Sequence, residues 1–298
     1  MPANPFLLGA LLLICGEAML TLMAAVIKHL SPEVPTEMMV FLRNLFGLLV
    51  LLPIVARHGG SLFSSKRPGT MAIRALAGLT AMYGFFYVIA HLPLAEATLV
   101  KLTTPFFIPI IGWFWLKERI GPYNATAIAL GFIGVLCVLR PGAATFDPHA
   151  LVGIAAALLA SVAMVAIRDM SDDEPPDRIV FHFVVISTLV SAVPLLWAWQ
   201  TPATQLWGWL VAVGVFGTAG QLLITRAFQV APPGRIGPFT YTSVVFAALL
   251  GWWLWDETLF ITTVVGSVLI FIAGLINLYG DSRKANATPP PHAGVSPT

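Results

Sequence analysis

The stretch FIPIIGWFWLKERIG, residues 107–121, runs from ten almost purely apolar residues into Lys-Glu-Arg. A second stretch, FAALLGWWLWDETLF at residues 246–260, has the same boundary between apolar and charged residues. Gly112, Trp113 and Glu118 each recur 139 positions later, as Gly, Trp and Glu. Because the spacing is the same for all three, the sequence predicts one structural unit that is used twice.

The composition indicates that this unit lies in lipid. Of the 298 residues, 58% are hydrophobic and 10% are charged, whereas soluble domains carry about 25% charged residues. The net charge of +2 and the scattered Lys and Arg argue against nucleic acid as a partner. Cys15 and Cys137 each lie in an apolar run, where a thiol is a packing residue, so they indicate no redox compartment.

Apolar runs long enough to cross a bilayer occur ten times. A spanning helix needs about 20 apolar residues, and alternation with period two, the pattern of a membrane barrel, is absent. The N-terminus lacks the basic segment of a signal peptide, and the polar, Pro-rich residues 281–298 are expected to be a disordered tail. The predicted spans are 6–28, 36–57, 70–91, 96–116, 122–140, 150–170, 178–199, 205–229, 234–255 and 260–279.

The repeat extends beyond the opening motif. At an offset of 139–140, Ile27-Lys28 matches Ile167-Arg168, and Val40-Phe41 matches Val180-Phe181. A unit of five helices has an odd number of crossings, so the second copy enters the membrane from the opposite face. We therefore predict an all-α polytopic protein of two inverted five-helix repeats, residues 1–142 and 143–280. This design, with a site between the halves that opens to either side in turn, recurs in secondary transporters.

The distribution of basic residues predicts the orientation. Of the 16 Lys and Arg residues, twelve fall on the side of the predicted spans that carries both termini. Lys28 and Arg140 fall on the opposite side, and Arg43 and Lys101 fall within spans. Since positive charge collects on the cytoplasmic side, both termini are expected to be cytoplasmic. Lys117-Glu118-Arg119 should then face the cytoplasm, and Asp256-Glu257 should face outward.

Five segments of the sequence match the pattern of a known family: RNLFGLLVLLP (43–53), RALAGLTAMYGFFYVIAHLPLAEATLV (74–100), TPFFIPIIGWFWLKERIG (104–121), ALGFIGVLCVLRPG (129–142) and PFTYTSVVFAALLGWWLWDE (238–257). In these segments the sequence resembles the ten-helix EamA-type branch of the drug/metabolite transporter superfamily. The resemblance covers residues 6–280, and its first half is most similar to the S-adenosylmethionine uptake branch. It implies two inverted repeats, a central cavity, cytoplasmic termini in a bacterial inner membrane, and transport of a small metabolite such as S-adenosylmethionine or an amino acid.

Glu17, Arg43 and Lys101 are singled out as charged side chains at membrane depth, where charge is costly and usually faces a cavity. The planar guanidinium of Arg43 carries donors that suit a carboxylate or phosphate. Alternatively, Arg43 has a structural role and donates to backbone carbonyls. Lys101 either lines the cavity or extends to the headgroups. Glu17 could pair with Arg43, bind a substrate amine or sulfonium, or carry a coupling proton. Two cations in the cavity would favour an anionic or zwitterionic substrate.

Polar and aromatic side chains complete the predicted substrate site. Stacking on Tyr rings would suit a planar or cationic solute, and helix packing is the competing interpretation. Proline frees a backbone carbonyl in a helix, so Pro105 and Pro238 are candidate hinges. The additional predicted substrate-binding residues are Tyr83, Tyr87, Thr104, Gln221 and Tyr241.

The chain lacks the P-loop of ATP-driven pumps, and no metal or cofactor is predicted. The interpretation is a secondary transporter with a small-molecule metabolite and the lipid bilayer as partners. An integral membrane enzyme acting on a lipid or lipid-linked substrate is the alternative. A ten-helix pair can enclose its own cavity, so a monomer is adequate, and a homodimer stays open.

Overall fold

The protein is described here from a computed structural model, which covers residues 5–58, 62–117, 120–139, 147–170, 172–231 and 236–287. Within these ranges the chain is helical and contains no strand. Glu118 and Arg119 of the opening motif lie outside them, as do residues 288–298 of the tail. The α-helices are α1 (Pro5–Leu30), α2 (Thr36–His58), α3 (Pro68–His91), α4 (Leu94–Lys101), α5 (Thr104–Trp115), α6 (Pro122–Leu139), α7 (His149–Asp169), α8 (Pro176–Ala192), α9 (Leu195–Ala198), α10 (Trp207–Val230), α11 (Thr242–Trp255) and α12 (Ile261–Ala287).

The helices confirm a polytopic membrane protein. Six of the described segments are long and apolar enough to cross a bilayer, and α4 and α5 together form one of them. Their outward surfaces are apolar, with Leu, Val and Trp side chains exposed. Three further apolar helices are shorter, at 178–192, 239–255 and 261–277. The last helix, α12, continues to Ala287, seven residues beyond the predicted end of the second repeat.

Helix α1 packs along α10, the most extensive contact in the bundle. Small residues allow the two backbones to approach closely, as is common between membrane helices. A Cβ atom at Gly16 would lie 3.1 Å from the carbonyl oxygen of Gly220, and one at Gly220 would lie 3.0 Å from that of Gly16. Larger residues at either glycine would therefore separate α1 from α10.

Two other helix pairs share this arrangement. Helix α3 packs along α7, where a Cβ at Gly84 would lie 2.7 Å from the Cβ of Ala156. Helix α6 packs along α12, where a Cβ at Gly266 would lie 2.6 Å from the carbonyl oxygen of Gly134. In all three pairs, one helix comes from the first half of the chain and the other from the second half.

Two predicted continuous spans are broken in the structure. The predicted span 96–116 is divided into α4 and α5 at Leu102 and Thr103, one residue before the Thr104-Pro105 start of α5. The predicted span 178–199 is divided into α8 and α9 beside Pro194. Proline cannot donate to the preceding turn, which explains why both breaks lie next to a proline.

Candidate functional site

The apolar-to-charged motif ends its helix in the same way in both copies. Lys117 and Asp256 are the non-glycine residues with positive φ in the described part of the chain, at 57° and 53°. They lie 139 positions apart, which is the repeat offset. At Asp256 the N–H groups of residues 256 and 257 donate to the carbonyl oxygens of Trp252 and Gly251, each at 3.1 Å. The bond from the Asp256 N–H to Trp252 is that of the αL ending, in which the left-handed residue after the helix donates to the carbonyl four residues earlier.

The turn at Asp256 brings the Glu257 side chain back over Gly251, where a Cβ atom would overlap the carboxylate. The carboxylate forms an ion pair with Lys28 at the end of α1 and accepts a hydrogen bond of 2.8 Å from the N–H of Leu94 at the start of α4. Lys28 also donates to the carbonyl oxygen of Leu92 at 2.7 Å. We call this group, Lys28, Glu257, Leu92 and Leu94, the Glu257 clamp; it joins α1, α4 and α11 at one end of the bundle.

A second polar network joins the other end. Glu174, which is 2% exposed, accepts hydrogen bonds from Ser65 Oγ at 2.6 Å, Lys66 N at 2.6 Å and Arg178 Nη1 at 2.7 Å, and also from Arg67 N. Burial alone would raise the pKa of the Glu174 carboxyl, but these hydrogen bonds outweigh it and lower the pKa to about 2. The Glu174 network therefore ties the segment before α3 to the segment before α8.

Between the two ends, Glu17 of α1 and Lys101 of α4 form the first charged group. Glu17 is 5% exposed, and Lys101 is close enough for its charge to act on the Glu17 carboxyl group. Lys101 is exposed at the end of α4, and its carbonyl oxygen accepts a hydrogen bond of 2.8 Å from Thr104 Oγ1 across the break. Lys101 is thus near Glu17, and Thr104 lies next to Lys101 along the chain, across the break.

Arg43 of α2 and Arg74 of α3 form the second charged group. Arg43 Nη1 donates to Asn44 Oδ1 at 3.3 Å, and its side chain lies beside Gly217 of α10. The Arg74 guanidinium lies over the ring of Phe183 on α8, with Cζ 3.7 Å from the ring centroid. Arg43 is near enough to act electrostatically on Arg74. The sequence analysis counted Arg74 among the basic residues of the terminal side; in the structure its guanidinium lies over Phe183, between α3 and α8.

The predicted tyrosines do not converge on one place. Tyr83 packs on the apolar cluster formed mainly by α1 and α2, and its hydroxyl has no partner among the described residues. Tyr87 stacks on His91 with ring centroids 4.1 Å apart. Tyr241 lies against Phe271 and Gly274 of α12, within an apolar cluster. For Tyr241 the packing interpretation describes its surroundings better than a cavity.

The remaining predicted residues are placed as follows. Gln221 is exposed on α10. Pro105 lies in the first turn of α5, immediately after the break. Pro238 lies in the 3₁₀ helix Gly237–Tyr241 that precedes α11. The junction between that 3₁₀ helix and α11, at 241–242, lies 139 positions after the α4–α5 break at 102–103.

Arg74 is the main interior residue that the sequence prediction missed. It lies seven residues into α3, near the predicted boundary of the span, so its position along the chain indicated a solvated basic residue. The signal that could have identified it is Gly78, four residues later on the same face. A Cβ atom at Gly78 would lie 2.8 Å from Arg74 Nη1, so the glycine makes room for the guanidinium.

No group of three His, Cys, Asp or Glu side chains that could hold a metal occurs in the part of the chain that the structure describes. A small cleft near the Glu257 clamp contains none of the predicted substrate-binding residues. It is lined by Leu92, Glu96, Val100, Val138, Leu139, Asp147 and Ala150.

Comparison with protein families gives two matches along the chain. The model of the EamA-like transporter family matches residues 7–140 and again residues 148–279. The matched segments together cover most of the chain.

Characterised and uncharacterised relatives also match over most of their length. The "Pseudopaline exporter CntI" of Pseudomonas aeruginosa strain UCBPP-PA14 is 33% identical over 268 residues, covering 89% of this chain and 94% of the relative. An "Uncharacterized transporter" of Helicobacter pylori strain 26695 is 27% identical over 283 residues, covering 92% and 95%. The "S-adenosylmethionine uptake transporter" of Rickettsia prowazekii is 25% identical over 260 residues, covering 87% and 88%.

The fold also matches a solved structure. One crystal structure aligns with a TM-score of 0.61 and 20% sequence identity, over 95% of this chain and 99% of the other. At this identity the match supports the helical architecture and carries no argument about the solute.

Proposed function

The chain belongs to the EamA-like transporter family, and from this we propose that it moves a small polar or zwitterionic metabolite across the bacterial inner membrane by alternating access. That the protein is a membrane transporter follows from the family. The metabolite class, with S-adenosylmethionine and amino acids as candidates, and the alternating mechanism are the proposal. The relatives are named as transporters, so we propose transport and not the membrane-enzyme alternative.

The observation that carries the proposal is the charge inside the apolar bundle. Glu17 is buried on α1, and Lys101 on α4 acts on it electrostatically. Arg43 lies between α2 and α10. A charged side chain at membrane depth costs at least about 2.5 kcal/mol on insertion scales, so three of them from different helices indicate a polar ligand. Opposite charges suit a zwitterion, with Glu17 facing an amine or sulfonium and the cations facing an anionic group.

The proposal includes ten spans in two inverted repeats, 1–142 and 143–280. The family model matches once in each half. In the proposed repeat, α7 corresponds to α1, α3 corresponds to α10, and α12 corresponds to α6. Replacing each helix by its counterpart therefore turns the packed pair α1–α10 into the packed pair α7–α3 and leaves the pair α6–α12 unchanged. The start of α4 and the end of α11 meet at the Glu257 clamp, so these equivalent segments run in opposite directions. Each observation is what a two-fold axis in the membrane plane requires.

The orientation and moving parts are also proposed. Both termini lie in the cytoplasm, which makes the Glu257 clamp the outer end and the Glu174 network the inner end. The α4–α5 break beside Pro105 and the 3₁₀ segment with Pro238 act as hinges. Glu17 is the candidate proton carrier, since a carboxyl group in an apolar site binds a proton more readily than one in water.

Transport in proteoliposomes tests the proposal. The full chain is reconstituted, loaded with an unlabelled candidate, and assayed for counterflow of labelled S-adenosylmethionine, methionine and glutamate. We expect saturable exchange of at least one solute above protein-free liposomes. Glu17→Gln should lower the rate at least tenfold, while Glu33→Gln, an exposed carboxylate between α1 and α2, should leave it unchanged.

The outcomes separate the two parts of the proposal. If no solute exchanges although the protein is folded and inserted, small polar metabolites of this class are excluded as cargo. If exchange is intact in Glu17→Gln, transport stands and the role of Glu17 is wrong. A proton gradient that drives net uptake in wild type but not in Glu17→Gln would support Glu17 as the proton carrier.

A further inference from the structure

We propose that Arg43 and Arg74, together with donors on α2 and α8, form a subsite for an oxyanion of the transported solute, a carboxylate or a phosphate. The inference rests on the proposed transport function and names the group that the solute must carry. It assigns Arg74, Asn44 and Ser187 to the site, three residues that the sequence analysis did not select.

The two arginines lie on α2 and α3, helices that pack on each other, and their charges are near enough to interact. Arg43 belongs to α2 and lies beside Gly217, whose missing side chain leaves room for the guanidinium. Arg74 belongs to α3 and extends toward Gly78, with Nη1 in the space that a Cβ would fill. Both residues are intermediate in exposure, and their charges are close enough to act on each other. The glycines on α10 and α3 therefore open space for two cations.

The pair has no counter-charge within the described residues. Neither arginine forms an ion pair there, whereas the Arg67, Lys28 and Arg178 side chains all have carboxylate partners. The nearby cation that acts on the Glu17 carboxyl is Lys101. Two like charges in an apolar bundle repel strongly because the surroundings screen them poorly, so an anion would convert the repulsion into attraction to both.

The orientation of Arg74 leaves its hydrogen-bonding edge free. The face of the guanidinium lies on the Phe183 ring, with Cζ at 3.7 Å. A cation–π contact uses that face, while the five N–H donors lie in the plane and form the fork that matches a carboxylate or phosphate. Arg74 Nε has no partner among the described groups.

Two neighbouring helices contribute further donors without partners. Asn44 Nδ2 and Ser187 Oγ are unpaired within the described part of the chain, and both residues are 0% exposed. Asn44 follows Arg43 and accepts its hydrogen bond, and Ser187 lies one turn beyond Phe183 on α8, which packs on α2 and α3. A buried donor that lacks an acceptor is unfavourable. An oxyanion supplies acceptors to the arginines, the amide and the hydroxyl together.

Matched ligand pairs test the subsite on the full chain in detergent micelles. The members of each pair differ in charged oxygen groups only: one in glutamate against glutamine and in glycerol phosphate against glycerol, and two in succinate against succinamide. Thermal unfolding across a concentration series gives an apparent Kd for each member. We expect at least one anionic member to bind wild type at least tenfold more tightly than its neutral partner, and the pair that responds distinguishes carboxylate from phosphate.

Substitutions of the two arginines test whether the anion binds at them. Arg43→Gln and Arg74→Gln should each weaken the anionic member at least tenfold and remove its advantage over the neutral one. Arg74→Lys keeps the charge but loses the fork, so a smaller loss is expected. Arg226→Gln, an exposed arginine on α10, is the matched control and should leave the Kd unchanged. Ser187→Ala tests the site with a conservative change if the arginine variants do not fold.

Three outcomes would overturn the subsite: no anionic member binds better than its neutral partner, Arg226→Gln weakens binding as much as Arg74→Gln, or Arg74→Lys and Ser187→Ala both bind with the wild-type Kd. Counterflow separates this from the transport proposal. If a neutral solute is exchanged and Arg74→Gln leaves the exchange rate unchanged, the subsite is wrong and the transport proposal stands. If an anion binds in a way that depends on Arg74 but no solute is exchanged, the subsite is supported and the transport proposal is wrong.

Discussion

Breaking the ion pair of the Glu257 clamp should destabilise the protein by an amount that the contacts allow us to work out. The carboxylate has two partners, the Lys28 ammonium and the Leu94 N–H, and the side chains of Lys28 and Glu257 are 13% and 14% exposed. Removing one member of a fully buried pair costs about 3–5 kcal/mol. Since both groups retain some contact with solvent, we expect the lower end for Glu257→Ala, about 3 kcal/mol.

A double-mutant cycle separates the pair from its surroundings. Glu257→Gln keeps an acceptor for the Leu94 N–H, so we expect a smaller loss, about 2 kcal/mol, in line with a hydrogen bond to a charged group. Lys28→Met should cost a similar amount. Because each single variant already breaks the ion pair, the double variant should be less destabilised than the sum of the two, by about 1.5 kcal/mol of coupling.

The assay is unfolding of the full chain by SDS in mixed micelles, followed by circular dichroism. Glu33→Gln, the exposed carboxylate between α1 and α2, is the control and should change the free energy of unfolding by less than about 0.5 kcal/mol. A coupling below about 0.5 kcal/mol, within the range of independent sites, would refute the claim that Lys28 and Glu257 act as one unit.

Three further predictions follow from close contacts and from one titrating group. Gly251→Ala places a methyl group where the clamp carboxylate lies, so the free energy of unfolding in SDS should fall by about 1–3 kcal/mol because the site becomes overpacked. Gly47→Ala is the control: a Cβ atom there meets nothing within 4 Å, so the variant should be more stable by up to about 1 kcal/mol. Gly274→Ala forces the Tyr241 ring from its place, and near-ultraviolet circular dichroism should register the changed tyrosine environment; an unchanged spectrum would contradict the packing. The pKa of Glu174 is lowered from 4.5 to about 2 in the folded protein, so its stabilising contribution is complete above pH 4.5 and disappears as the pH falls toward 2. Glu174→Gln should therefore remove that part of the acid-induced loss of stability, and identical pH profiles for variant and wild type would exclude the network as its source.

The sequence predicted the membrane class and the family correctly because both depend on long apolar segments and on local motifs. Helix bounds follow from runs such as residues 5–30, and the break at Leu102 follows from Pro105, since these are effects of neighbouring residues. In the second copy of the opening motif, the spacing of Gly and Glu also has a local cause: Gly251 leaves room for the Glu257 carboxylate, which returns over its own helix end.

Contacts between distant residues could not be predicted in this way. The partner of Glu257 is Lys28, 229 residues away, and nothing in the pattern of either segment identifies the other. Hydropathy also does not predict the direction in which a side chain extends. Arg74 lies near a predicted span boundary, but its guanidinium extends along α3 to Phe183. Tyr241 carries a polar group in a span, yet the absence of a side chain at Gly274 draws the ring toward α12.

The pairing of α1 with α10 also sets an order of events during synthesis. About 180 residues separate the end of α1 from the start of α10. Protein synthesis adds about 5–20 residues per second. About 10–35 s therefore pass between the insertion of α1 and the synthesis of α10, the helix that packs on Gly9 and Gly16. During that time α1 rests against lipid or an insertion factor, so the first helix to enter the membrane is among the last to reach its native neighbours.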